Sequence, residues 1–238
     1  MAGHSKWKQI KHKKALLDSR RGKSFTKLIK EITVAARLGG GDPESNPRLR
    51  TLVEKAKFIN MPQENTQRAI KKGTGELPGT SYEPHLYEGY GPEGIAVIIE
   101  TLTDNKNRTV ADLRHAFSIK GGNLGETGSV NWMFEKMGVI KAKSHDMNED
   151  QVLECLIDFD IVDFSLEDDV FYVTSNPKSL EVVKEKLKEN NLIIESCEIE
   201  WVAKNNIKLE DENAQKAYEF LDYIEDLEDV QNVYTNLI

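Results

Sequence analysis

The run VIKAKSHDMNEDQVLECLIDFDIVDFSLEDDVFYVTSNPKSLEVVKEKLKENNLIIESCEIE, residues 139–200, decides the fold. Val139 to Lys143, Ile161 to Leu166 and Val170 to Thr174 are short β-branched and aromatic runs, which read as strands. Asn148 to Asp158 and Ser179 to Asn190 carry helical spacing, the second with Leu180, Val183 and Leu187 on one face. Ile193 to Val202 is extended again. The order strand, helix, strand, strand, helix, strand is that of a split βαβ, ferredoxin-like unit.

Outward from that unit the pattern repeats in two pieces. Before it, Tyr87 to Tyr90 and Ile95 to Leu102 read as strands, and Asn107 to Lys120 as a helix with Val110, Leu113 and Phe117 on one face. GGNLGETGS, 121–129, is a glycine-rich turn, and Val130 to Phe134 a short strand. After it come a helix from Asp211 to Leu227 and a strand from Val230 to Leu237. Strand, helix and strand on each side together make a second βαβ pair. Residues 81–135 plus 201–238 are therefore expected to form one discontinuous α/β domain, with 136–200 inserted in it.

GTGELPGTSYEP, 73–84, is a linker by composition, and what precedes it is helical. Ser24 caps a helix whose apolar positions are Phe25, Leu28, Ile29, Ile32, Ala35 and Ala36, and Gly39 to Gly41 stop it. Asn46 before Pro47 is an N-cap with proline at the first helical position, followed by Leu49, Leu52, Val53 and Ala56. A third helix runs from Pro62 to Lys72, ended by Gly73 and Gly75. The expected fold class is multidomain α and α+β. A three-helix basic domain with an N-terminal arm, 1–80, precedes two ferredoxin-like α/β domains, one inserted in the other.

Charge is divided along the same lines. His4 to Lys30 holds ten Lys or Arg and one acid, Asp18. Up to Lys72 the net charge is +12, and the remainder carries −20, so the overall −8 hides two regions of opposite sign. Dense cations interleaved with an aromatic suit a phosphate chain with stackable bases. The nucleic-acid contact set is His4, Lys6, Trp7, Lys8, Lys11, His12, Lys13, Lys14, Arg20, Arg21, Lys23, Lys27 and Lys30. Its partner is duplex DNA or ribosomal RNA. Arg48, Arg50, Lys55, Lys57, Arg68, Lys71 and Lys72 either extend that surface or form ordinary solvated helix faces. The acidic runs LEDD (166–169) and IEDLEDV (224–230) read as solvated exterior.

Other chemistries find no support in the residues. The glycine-rich turn follows a helix and lacks the GK[ST] ending of a phosphate loop. No nucleophile elbow, HExxH or dinucleotide fingerprint occurs, so no enzyme, cofactor or small-molecule substrate is expected. The five His show no metal-ligand spacing, and Cys155 and Cys197 read as buried free thiols. No apolar run approaches the roughly 18 residues of a membrane span, and the chain is read as a mature cytoplasmic protein.

MAGHSKW at 1–7, IKHKKA at 10–15, RGKSFTKLIKEITVAARLGGGDPESNPRLR at 21–50, NMPQENTQRAIKKGTG at 60–75 and YEGYGPEGIAVIIE at 87–100 closely resemble the YebC/PmpR family. The mitochondrial translational activator of cytochrome oxidase subunit I belongs to the same family. The resemblance spans the whole chain, densest up to about residue 135. One departure is Ser24, where the motif usually has an apolar residue. The resemblance implies three domains and an intracellular, non-enzymatic role in gene expression, with no catalytic residue. Bacterial members are labelled DNA-binding transcriptional regulators, whereas the mitochondrial branch and some bacterial relatives look like ribosome-associated translation factors. The partners so implied are nucleic acid and the ribosome, and the acidic body would project away from the phosphate chain or contact a basic protein such as RNA polymerase or a ribosomal subunit. A reading of another class is a protein-interaction adaptor that offers sheet edges to partners.

Overall fold

The computed structural model describes residues 17–144 and 146–238, with side chains from Lys23 onward. Three helices open it: α1 (Leu17–Gly39), α2 (Pro47–Phe58) and α3 (Gln63–Thr74). Their apolar stripes meet in one core of Leu28, Ile32, Ala35, Ala36, Leu49, Leu52, Ala56 and Ala69. Asn46 fixes the α1–α2 corner. Its Oδ1 accepts from the Leu49 amide at 3.1 Å, while its Nδ2 donates to the carbonyls of Ala35 at 3.0 Å and Gly40 at 2.9 Å. One buried side chain thus caps α2 and ties it to the end of α1. Gly73 does not end α3 but lies inside it. A Cβ there would stand 2.4 Å from the Thr33 carbonyl oxygen, so the missing side chain is what lets α1 and α3 cross so closely. The left-handed stop falls at Gly75, φ 84°.

α1 begins earlier than its sequence indicates. Residues 17–23, expected in the arm, are helical, and Ser24 sits inside the helix rather than capping it. Arg and Lys propagate a helix well once packing further along has nucleated it.

The first sheet contains β1 (Glu83–Tyr90), β2 (Ala96–Thr103), β3 (Asn123–Leu124) and β8 (Val230–Thr235), in the order β3-β1-β2-β8. Helices α4 (Lys106–Ile119) and α7 (Asp211–Glu225) cover one face, around Val97, Ile99, Leu113, Phe117, Phe220 and Val233. The Phe117 and Phe220 rings meet edge to face at 5.0 Å. The second sheet contains β4 (Phe134–Lys143), β5 (Ile161–Glu167), β6 (Val170–Ser175) and β7 (Ile193–Ala203), in the order β5-β6-β4-β7. With α5 (Glu149–Leu156) and α6 (Leu180–Glu189) on one face, this is the split βαβ arrangement expected from 139–200. α5 opens with a capping box between Asn148 and Gln151. The chain is thus a multidomain α and α+β protein.

Two expectations about the first sheet fail. The strand expected at 130–134 is a single 3₁₀ turn over Asn131–Met133, and the edge strand is instead the two-residue β3 inside the glycine-rich run. β7 stays in the second sheet through Ala203, so only α7 and β8 are added to the first sheet after residue 200. The first sheet therefore starts with a β1–β2 hairpin in place of a second βαβ order. Its uncovered face packs on the ends of β4 and β7, through Ala96, Ile98, Tyr234, Phe134, Trp201 and Ala203.

Candidate nucleic-acid interface and the cleft beside it

Of the thirteen residues that the sequence points to, His4, Lys6, Trp7, Lys8, Lys11, His12, Lys13 and Lys14 lie outside the described residues. Arg20 and Arg21 fall in α1, where only the backbone is described. The three that remain, Lys23, Lys27 and Lys30, follow one face of α1 at i, i+4 and i+7. They meet the acidic run between α7 and β8.

Lys30 is 3% exposed. Its Nζ donates to Asp229 Oδ1 at 2.9 Å and to the Glu228 carbonyl at 3.1 Å, and it lies 5.4 Å from the centre of the Tyr82 ring. Asp229 is equally enclosed. Its Oδ2 accepts from Arg108 at 2.8 Å, Thr109 at 2.9 Å and Thr103 at 3.1 Å. Burial alone would raise the Asp229 carboxyl, but hydrogen bonds from Arg108, Lys30 and Thr109 outweigh it and hold the group below its ordinary value. Lys27 Nζ donates to the Glu225 carbonyl at 3.0 Å, and Lys23 pairs with Asp226 at 3.0 Å with both side chains largely in water. Such an exposed pair opens easily to another anion. Lys30 is therefore removed from the contact set, because a phosphate has no route to its ammonium. The run 224–230 is not simply solvated exterior either, since it is the seat on which α1 rests.

The cations of α2 and α3 divide as well. Lys55 pairs with Glu198 of β7, which ties the helical unit to the second sheet. Burial disfavours the charge on Lys55, but Glu198 and Glu31 overcome this and hold its pKa above the ordinary lysine value. Arg50 donates to the Pro43 and Glu44 carbonyls within its own loop, and Arg68 faces Glu64 one turn away. Lys57, Lys71 and Lys72 are exposed.

The glycine-rich run holds a carboxylate. Glu88 of β1, 2% exposed, accepts from the amides of Gly128 at 2.8 Å, Val130 at 2.9 Å and Asn131 at 2.8 Å. The backbone donors that a phosphate would need are already taken. Cys155 and Cys197 are half-buried free thiols, and burial pushes Cys197 up to about 11, which keeps it protonated and unreactive. Among the described residues no group of three or more His, Cys, Asp or Glu is placed to hold a metal. No described helix is long and apolar enough to cross a membrane.

Where the helical unit meets both sheets there is a cleft of about 330 Å³. α1 supplies Glu31, α2 Arg48, β2 Glu100, β4 Lys136, β7 Trp201 and β8 Gln231 and Asn232. Glu100 is held by three donors: Trp201 Nε1 at 3.2 Å, Asn232 Nδ2 at 3.1 Å and the Tyr234 hydroxyl at 3.2 Å. Burial and the neighbouring Glu100, Glu200 and Glu198 push the Tyr234 phenol well up, so it stays a donor. Sequence reading missed this cleft, because its residues come from seven elements, β1 included, and share no motif.

Comparison with known proteins agrees with this architecture. Residues 5–76 match the TACO1/YebC protein N-terminal domain, and residues 82–237 match the TACO1/YebC second and third domain. A Chlorobaculum tepidum protein named "probable transcriptional regulatory protein" is 50% identical over 100% of this chain and 95% of its own length. A Persephonella marina protein of the same name is 52% identical over 99% of this chain and 95% of its own. The crystal structure of a conserved hypothetical protein from Aquifex aeolicus superposes with a TM-score of 0.85 at 45% identity, over 93% of this chain and 91% of that one. Helical unit, paired sheets and sequence together establish that the chain belongs to the TACO1/YebC family, the YebC/PmpR family that its motifs resemble.

Proposed function

We propose that this chain is a non-enzymatic, nucleic-acid-binding regulator of gene expression, acting as a DNA-binding regulator of transcription. Its basic domain, 1–80, supplies the grip. One observation carries the proposal: ten cations against one acid between His4 and Lys30. Each phosphate neutralised by such a chain releases counterions, which favours binding whatever the base sequence. Lys57, Lys71 and Lys72 extend the basic surface. The acidic remainder, with 136–200 inserted between 81–135 and 201–238, repels the phosphate chain and suits a basic protein partner such as a polymerase or ribosomal subunit. The names of the relatives support transcription as the process.

For duplex DNA, contact with about six phosphates gives a log–log salt slope near about −5. The pair Lys13→Glu and Lys14→Glu is expected to weaken binding across all sequences. Undiminished affinity of that variant for both DNA and RNA would overturn the assignment to the arm. A ribosomal RNA target, with a role in translation, is the second reading. Trp7 among dense lysines favours it, because an indole stacks on bases that a duplex hides. Co-sedimentation with ribosomes against association with chromatin separates the two. Full activity without residues 1–23 would point to the adaptor reading in their place.

A further inference from the structure

Gln231 is the extra residue of a β-bulge. In the β2–β8 ladder Glu100 pairs with Asn232 and Thr101 with Val230, so Gln231 has no opposite number. A bulge of this kind re-aims a side chain out of the regular alternation. Gln231 is 8% exposed, yet among the described residues neither Nε2 nor Oε1 has a hydrogen-bond partner. A buried amide orphaned at both its donor and its acceptor is destabilising and calls for an explanation. This one borders the 330 Å³ cleft, and also a smaller one of about 220 Å³ beside Lys23 and Lys27. In the smaller cleft Asp222, Glu225 and Asp226 disfavour an anion.

We infer that the larger cleft receives one unstacked nucleobase of the nucleic-acid partner, with the Gln231 amide reading its edge. The inference rests on the nucleic-acid reading above and names what that partner inserts. Among the polar residues that line it, Pro84, Leu86, Leu102 and the Trp201 indole supply apolar and planar wall, with Lys136 Nζ 4.9 Å from the centre of the Trp201 ring. A base–aromatic contact is a general means of holding single-stranded nucleic acid. A glutamine amide presents a donor beside an acceptor, the pattern that matches the edge of a base. Glu31 and Glu100 are balanced by Arg48 and Lys136 on the same walls, so the cleft carries no net formal charge from these four and suits a neutral ring. Arg48, exposed on α2 at the cleft, remains for the adjoining phosphate. The volume lies at the lower end of the ~300–1,000 Å³ typical of small-ligand sites, enough for one heterocycle.

The test uses the full chain and single-stranded RNA and DNA oligonucleotides of roughly twelve nucleotides. Each is paired with the same backbone carrying no bases. Wild type is expected to bind the base-bearing strand about tenfold more tightly than the abasic one, within what one stacked and hydrogen-bonded base contributes. Gln231→Leu is expected to reduce that difference while affinity for the abasic strand and the salt slope stay unchanged. The variant should melt at or above the wild-type temperature, because it removes an orphaned amide, so lost binding cannot be ascribed to unfolding. If wild type does not distinguish the strands, or Gln231→Leu keeps the full difference, the inference falls while the basic grip stands. If neither strand binds, the inference falls, and a parallel titration with duplex DNA then decides whether the basic grip falls with it.

Discussion

Asp229→Ala tests the seat of α1. The carboxylate takes four donors, from Lys30, Arg108, Thr103 and Thr109. Removing it strands an ammonium whose side chain is 4% exposed, whereas Arg108 at 43% keeps water and Asp104. Breaking a buried pair by deleting one partner costs about 3–5 kcal/mol, and here most of that loss belongs to Lys30. Lys30→Met on the wild-type background removes one charged hydrogen bond of four and should cost about 1.5–3 kcal/mol. On the Asp229→Ala background the same change removes the stranded charge and should instead recover about 2 kcal/mol. A double-mutant cycle from urea unfolding reads this reversal of sign directly, with hydrogen exchange in α1 locating the loss. If Lys30→Met destabilises both backgrounds alike, the two side chains are not coupled, and the account of why α1 lies against the α7–β8 turn is wrong.

Other consequences are open to measurement. Acid should loosen the same seat: the folded pKa of Asp229 lies below its ordinary 3.8, so its contribution is complete above about pH 4 and lost as pH falls through the lower folded value. Urea midpoints taken from pH 6 to pH 2 should show that fall in wild type, and a smaller one in Asp229→Ala. Gly73→Ala gains helix propensity of about 1 kcal/mol but drives a methyl to 2.4 Å from the Thr33 carbonyl, so a net loss of about 1–3 kcal/mol is expected by urea unfolding. A net gain would mean that α1 and α3 can separate freely. Glu88→Gln leaves three backbone amides competing for one neutral oxygen, and should cost about 1.5–3 kcal/mol. Faster amide exchange confined to 121–131 is the expected signature.

The elements that sequence reading located are those whose determinants are local. Asn46 followed by Pro47 carries its cap within four residues. The strands and helices of 139–200 each keep a single period over their whole length. What escaped depends on distance along the chain. Ser24 has the composition of a cap, but the helix around it is stabilised by Leu28, Ile32 and partners on α2 and α3, and so extends past it toward the N-terminus. The glycine-rich run gives no sign that its amides close on Glu88, about forty residues earlier. Lys30 looks like each neighbouring lysine, and only Asp229, 199 residues later, makes it a buried structural cation. Gln231 gave no signal, because a bulge arises from the register of two strands rather than from either sequence.

The far end of the basic stretch is matched to an acidic turn of its own chain, and on the proposed function the near end grips an external polyanion. Of the ten cations between His4 and Lys30, Lys30 is enclosed and Lys27 is engaged on a carbonyl, so eight at most are available to phosphate. Releasing about 0.9 counterion per contact, eight contacts set a ceiling near −7 on the slope that this stretch can give with duplex DNA. A steeper slope requires Lys57, Lys71 and Lys72 on the neighbouring helices, or release of α1 from its seat. Lys57→Ala, Lys71→Ala and Lys72→Ala together would flatten the slope in the first case, and Asp229→Ala would steepen it in the second. The two ways of extending the grip are thus distinguishable by the sign of one measured quantity.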